Sequence, residues 1–250
     1  MLALWIVLGV IGGLIVIYAM HILFLVITAS FIEEKEYDKD SKFYRFLLVF
    51  NTFGALQFGR VKRHLSGMEK LKDVNGRVLL VFNHRSNWDP LILWWHLRKY
   101  EPAFITKPEN YKVPVFCKFI RKCCFRAIDR SNPKSSYKTF ISAAELIKKD
   151  EVSIAVSPEG TRSKECVLLP FHDGVFKIAK MAEVPIVVVT LNGQEKIHKN
   201  YFFKRTHVYM DIADVIPVDY VTTHTTHEIG ALIREEMISS LEISDKKLKK

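Results

Sequence analysis

From Met1 to Ile32 the chain carries no Lys, Arg, Asp or Glu. A run of that length cannot be folded into an ordinary water-facing helix, because a helix apolar all round has no solvent side. It is long enough to cross the hydrocarbon core of a bilayer. A secretory signal has a basic start and a shorter apolar centre, and this run has neither. An uncleaved membrane anchor is therefore expected, with His21 as a tolerated polar residue. Lys35, Lys39, Lys42 and Arg45 follow the run and no basic residue precedes it. The positive-inside rule then places the remainder on the cytoplasmic side, although acids crowd the same segment. A second apolar stretch, Phe43 to Phe58, is interrupted by Arg45, Asn51 and Gln57. It reads either as an interfacial helix beside the first or as the first helix of a soluble domain.

Beyond residue 60 the pattern alternates. Val78–Phe82, Ala103–Thr106, Phe125–Ile128, Val152–Val156, Pro185–Leu191 and His207–Ile212 read as strands, short and apolar or β-branched. Between them, helices are expected from Trp88 to Leu97, Val113 to Lys122, Pro133 to Lys149 and Asp173 to Ala182. Pro133 suits a first helical position. Thr225-x-x-Glu228 is a capping box for a last helix to Leu241, followed by a frayed basic tail, Asp245–Lys250. Strand–helix alternation implies an α/β fold with a mostly parallel central sheet flanked by helices and an N-terminal membrane-associated helical element. The division expected is 1–60 for the anchor and interfacial helix, and 61–250 for the α/β domain.

The 250 residues carry a formal charge of +10, which favours anionic partners. No base-reading motif is present, so no nucleic-acid partner is expected. Cys117, Cys123, Cys124 and Cys166 form no Cys-x-x-Cys pair, so neither a zinc site nor any other metal is expected. Adjacent Cys123 and Cys124 suit a reduced compartment better than a disulfide.

Ligands of parallel sheets sit beyond the carboxyl ends of the strands, and the unusual polar residues fall there. Asn83-His84-Arg85-Ser86-Asn87-Trp88-Asp89-Pro90 follows the first strand. A strand-to-helix turn can bring His84 and Asp89 into hydrogen-bond range. A carboxylate on one imidazole nitrogen holds one tautomer and strengthens the other nitrogen as a base. The plainer reading is a surface histidine beside an N-capping Asp89. Ser157-Pro158-Glu159-Gly160-Thr161-Arg162-Ser163 offers a glycine for close approach, two hydroxyls and a guanidinium fork suited to phosphate. Alone it is equally a polar turn. Arg130 and Lys107 each follow a strand and could bind a phosphate or pair with a neighbouring acid. His172 is a further candidate base or a solvated loop residue.

In order, Asn83-His84 with Asp89, Ile128-Asp129-Arg130, Pro158-Glu159-Gly160-Thr161-Arg162-Ser163 and Val184-Pro185-Ile186 resemble the glycerolipid acyltransferase family, in particular its 1-acylglycerol-3-phosphate acyltransferase branch. The resemblance covers roughly residues 65–193, and Lys107 also falls where the family tends to have lysine. Ser157 stands where an aromatic residue is common, His172 replaces a frequent lysine, Cys123 and Cys124 replace glycine, and Val188 replaces a proline. The resemblance implies acyl transfer from acyl-CoA or acyl-carrier protein to the sn-2 hydroxyl of lysophosphatidate. Other lysophospholipids, or glycerol 3-phosphate, are alternative acceptors, and a non-catalytic anionic-lipid-binding protein is an alternative of another class. It implies His84 as general base, Asp89 as its orienting partner, and Glu159, Gly160, Thr161, Arg162, Arg130 and Lys107 as acceptor-binding residues. No cofactor is implied beyond the thioester co-substrate, and the partners are the two substrates and the bilayer.

Overall fold

The computed structural model describes every residue except Phe202, Lys249 and Lys250. Helix α1 (Leu2–Ser30) is long and apolar enough to cross a membrane, with mean hydropathy 2.7. Every residue from Met1 to Met20 is exposed; packing against the protein begins at His21 and continues at Leu25, Thr28 and Ala29. Helix α2 (Lys42–Phe58) runs back along this last portion. His21 Nε2 meets Asn51 Oδ1 at 3.0 Å, and the Tyr44 hydroxyl donates to the Thr28 carbonyl at 3.0 Å.

Helix α2 has a buried face and an exposed one. Leu47, Thr52 and Leu56 are buried, and the helix packs on α3 (Asp89–His96) and α4 (Phe116–Lys122). Phe43, Phe46, Phe50 and Phe58 stay exposed on the other face. Buried Arg45 fixes the helix to the domain: its Nε and Nη2 grip Asp40 at 2.8 and 2.6 Å, and Nη1 donates to the Pro102 carbonyl at 3.0 Å. A buried guanidinium is tolerable because carboxylate and carbonyl occupy its donors.

Seven strands form one sheet: β1 (Val61–Ser66), β2 (Leu79–Phe82), β3 (Pro102–Thr106), β4 (Arg126–Ala127), β5 (Ser153–Val156), β6 (Ile186–Asn192) and β7 (Thr206–Ile216). Their order is β1-β7-β6-β2-β5-β3-β4. All neighbours are parallel except β6 and β7. β2, β5 and β6 are buried at every position, as strands covered by helices on both faces must be. The remaining helices are α5 (Pro133–Lys148), α6 (Lys177–Ala182), α7 (Ile197–Asn200), α8 (Val218–Thr223) and α9 (Thr226–Leu248).

Capping chemistry sets the helix starts. Asn132 Oδ1 accepts from the Lys134 and Ser135 amides at 3.1 and 3.2 Å, ahead of Pro133. Thr225 and Glu228 close the capping box: the Thr225 amide donates to Glu228 Oε2 at 2.7 Å, and the Glu228 amide to Thr225 Oγ1 at 3.2 Å. α9 then runs past Leu241 to Leu248, so Asp245–Leu248 is helix rather than frayed tail; Lys249 and Lys250 lie outside the described residues. β1 is a strand without an apolar run, Val-Lys-Arg-His-Leu-Ser, because an edge position leaves its polar side chains room. Phe125–Ile128 contributes only the two residues of β4 to the sheet. There Arg126 is buried and its side chain holds Asp38, the Tyr37 carbonyl and Ser142.

All four cysteines are free, and burial pushes the Cys124 thiol up to about 12. His96, at the end of α3, is pushed from 6.5 to about 4 by burial, with Arg63 and Arg98 nearby adding to the effect. It is thus neutral when folded, while the unfolded chain gains its proton below 6.5. Stability is expected to be lost as pH falls from about 6.5 to 4, by up to about 3 kcal/mol from this group. His96→Leu should flatten that part of the profile; urea midpoints at pH 7 and pH 4.5 provide the measurement.

Candidate active site

The site is built by strand register. Val81 of β2 pairs with Val156 of β5, and three residues beyond each stand His84 and Glu159. Phe82 pairs with Val189 of β6, and three residues beyond each stand Arg85 and Asn192. Asn83 bridges the gap where β2 ends. Its Nδ2 donates to the Leu191 carbonyl at 3.0 Å, and its Oδ1 accepts from the Leu191 amide at 2.7 Å. A side-chain amide thus continues the ladder and frees the backbone to turn.

Asp89, fully buried, opens α3. Its Oδ2 accepts from His84 Nδ1 at 2.8 Å, the Arg85 amide at 2.8 Å and the Ser86 amide at 2.9 Å. Asp89 is the first residue of α3 rather than its N-cap, which is Trp88; one oxygen closes the turn ahead of the helix and orients the imidazole. Three donors offset the burial of a carboxylate. An oxygen already accepting two backbone N–H groups fixes the proton on Nδ1, leaving Nε2 with its lone pair free. The His84 side chain is 21% exposed, and Nε2 has no protein partner among the described residues.

Glu159 holds the backbone on which His84 sits. Its Oε1 accepts the His84 amide at 2.6 Å and its Oε2 accepts the Leu169 amide at 2.9 Å. The His84 carbonyl accepts the Ser163 amide at 2.8 Å. Burial raises the Glu159 carboxyl above its ordinary range, against these amides, which pull it down. Both oxygens of Glu159 are thus engaged by backbone amides, one of them that of His84. Leu169 is steadied in turn by Arg234 of α9, whose Nη1 and Nη2 donate to the Leu169 and Leu168 carbonyls at 2.7 and 3.1 Å.

Gly160 has φ +68°. A Cβ there would lie 2.9 Å from His172 Cδ2 and 3.7 Å from Arg130 Nε, so the β4 and β5 loops converge over this residue. His172 is fixed by its amide, which donates to the Pro158 carbonyl at 2.8 Å. Arg130, Thr161, Arg162 and Lys107 are exposed at the carboxyl ends of β4, β5 and β3. No side-chain hydrogen bond joins Thr161, Arg162 or Lys107 to the His84–Asp89–Glu159 group among the described residues. No three His, Cys, Asp or Glu side chains gather as a metal site among the described residues.

Two participants escaped sequence reasoning. Arg85 was visible beside His84, but only the β2–β6 register gives it a partner. Arg234 carried no local signal at all.

The acyltransferase family model matches residues 62–192, the stretch holding every candidate site residue. The 1-acyl-sn-glycerol-3-phosphate acyltransferase of Cocos nucifera is 34% identical over 119 residues, covering 48% of this chain and 38% of that protein. That of Saccharomyces cerevisiae is 29% identical over 169 residues, covering 65% and 55%. The chain thus spans about half the length of these curated relatives. The crystal structure of the 1-acyl-sn-glycerophosphate (LPA) acyltransferase of Thermotoga maritima shares the fold. Its TM-score is 0.62 at 20% identity, over 91% of this chain and 97% of that one. Fold, motif order and a family match over half of its length agree: the chain belongs to the acyltransferase family.

Proposed function

We propose that this chain transfers a fatty acyl group from acyl-CoA or acyl-carrier protein to the sn-2 hydroxyl of lysophosphatidate, forming phosphatidate. The observation that carries the reading is the His84–Asp89 pair, whose Nε2 has no protein partner among the described residues, with Arg130, Arg162 and Lys107 in no ion pair within 4.0 Å among those residues. His84 Nε2 takes the hydroxyl proton as the oxygen attacks the thioester carbonyl. The tetrahedral intermediate expels the thiolate as the C–S bond breaks, and the imidazolium returns the proton to sulfur. An alcohol needs such a base, whereas a thioester is already activated. Asp89 keeps Nδ1 protonated throughout. Arg130 and Arg162, with Gly160, Thr161 and Lys107, receive the acceptor's phosphate, and Glu159 acts through the seat of His84.

The anchor addresses supply of the acceptor. The exposed α1 segment Met1–Met20 is about 30 Å long, the thickness of a hydrocarbon core. Residues 1–60 therefore act as membrane element and 61–250 as the acyltransferase domain, on the cytoplasmic side by the positive-inside rule. Lysophosphatidate reaches the site from the bilayer and the thioester from water.

The test is a mass-spectrometric product assay on purified protein offered mixed lysolipids, glycerol 3-phosphate and both donors. Phosphatidate as the dominant product is expected; another lysolipid's product would reassign the acceptor, and donor left unconsumed would refute transfer. Arg162→Ala should raise the KM for lysophosphatidate about tenfold or more through a lost charge-assisted contact. An unchanged acceptor KM and kcat would exclude that role.

A further inference from the structure

Two anionic substrates must reach one imidazole, yet the cations assigned above all follow β3, β4 or β5, on one side of His84. On the β6 side stands Arg85, half-buried and next in sequence to the base. Its Nη1 donates to Asn192 Oδ1 at 2.9 Å. Asn192 is buried and fixed from behind by α9: its Nδ2 donates to Ser244 Oγ at 2.8 Å and Asp245 Oδ1 at 2.6 Å. The guanidinium is thus positioned by a neutral amide oxygen, and the Asp245 carboxylate bonds to the amide instead.

The contrast with the structural arginines is plain. Arg45, Arg77 and Arg126 hold Asp40, Glu101 and Asp38 at 2.6, 2.7 and 2.5 Å. No carboxylate lies within 4.0 Å of the Arg85 guanidinium among the described residues, and its Nε and Nη2 have no protein partner there. The Glu159 carboxylate feels the charge of Arg85 without forming an ion pair with it, and a guanidinium that is held in place and still rich in N–H groups is ready for an oxyanion.

We infer that Arg85, held by Asn192, binds a phosphate of the acyl donor, coenzyme A, on the opposite side of His84 from the acceptor's phosphate. The assignment rests on the acyl-transfer reading above. It divides the labour: the β4–β5 cations take the lipid phosphate, and the β2–β6 arginine takes the nucleotide thioester. Both anions are then brought to one base without sharing a cation.

The experiment measures coenzyme A binding by calorimetry to the full chain in lipid nanodiscs, for wild type, Arg85→Ala, Arg85→Lys and Asn192→Ala. Arg85→Ala should weaken binding about tenfold or more, the size expected for one charged hydrogen bond to phosphate. Arg85→Lys should fall between, keeping charge but losing the planar fork, and Asn192→Ala should also weaken binding, by less than Arg85→Ala. In turnover assays Arg85→Ala should raise the KM for acyl-CoA while leaving the KM for lysophosphatidate within about twofold. A phosphate-free acyl-N-acetylcysteamine thioester should be used equally by variant and wild type. Coenzyme A affinity unchanged by these substitutions, no binding to wild type, or an equal loss with the phosphate-free donor would each overturn the assignment. Should Arg85→Ala fail to fold, the affinities of Arg85→Lys and Asn192→Ala decide between these outcomes. Coenzyme A bound through Arg85 without any acylated product would leave this site standing and refute the acyl-transfer reading instead.

Discussion

Replacing His84 with alanine is expected to remove acyl transfer, by about 10²–10⁴-fold in kcat, while the chain stays folded. The loss follows from geometry: Nε2 has no protein partner among the described residues, and Nδ1 of the same imidazole is held at 2.8 Å by a buried carboxylate. The fold should persist because Asp89 keeps the Arg85 and Ser86 amides at 2.8 and 2.9 Å and still closes the turn. The seat of residue 84 is also made of backbone, held by Glu159 and Ser163, and alanine retains both of those bonds. Phosphatidate formation under saturating substrates, with circular dichroism and a thermal midpoint as controls, makes the comparison. Normal turnover by His84→Ala would remove the base from the mechanism.

Glu159→Gln should cost nearly as much, for a different reason. The native carboxylate offers two acceptors to two amides, His84 at 2.6 Å and Leu169 at 2.9 Å. Glutamine offers one acceptor and one NH2 group, so a donor must face a donor. An unsatisfied buried group costs about 1–3 kcal/mol, and here the strain falls on the backbone carrying the base. The expected result is a kcat about 10²-fold lower with the lysophosphatidate KM within about threefold of wild type, since misplacing a base damages the chemical step. A direct acceptor-binding role would instead raise KM. The two outcomes separate a brace from a binding group, and full activity in Glu159→Gln would dismiss the brace.

Much of this was legible because it is local. The strands β2, β5 and β6 announce themselves as apolar runs, and the Thr225–Glu228 box sets the start of α9 within one turn of chain. His84 and Asp89 lie five residues apart across one turn, so their meeting needed no knowledge of the rest of the fold. β1 was not legible, because an edge strand need not alternate apolar and polar residues. The end of α9 was not legible either, because what ties it down is distant in sequence: Ser244 and Asp245 bond to Asn192.

An apolar N-terminal helix, an α/β sheet and the histidine–carboxylate turn can be read from residue order alone, since periodicity and short-range spacing are written along the chain. That Glu159 accepts the His84 amide from 75 residues away, and that Asn192 holds Arg85 from 107 away, follows from the packed fold. Those contacts depend on β5 and β6 flanking β2 in a particular register. Strand order is chosen by how whole faces of the sheet bury against helices, and no local pattern encodes it.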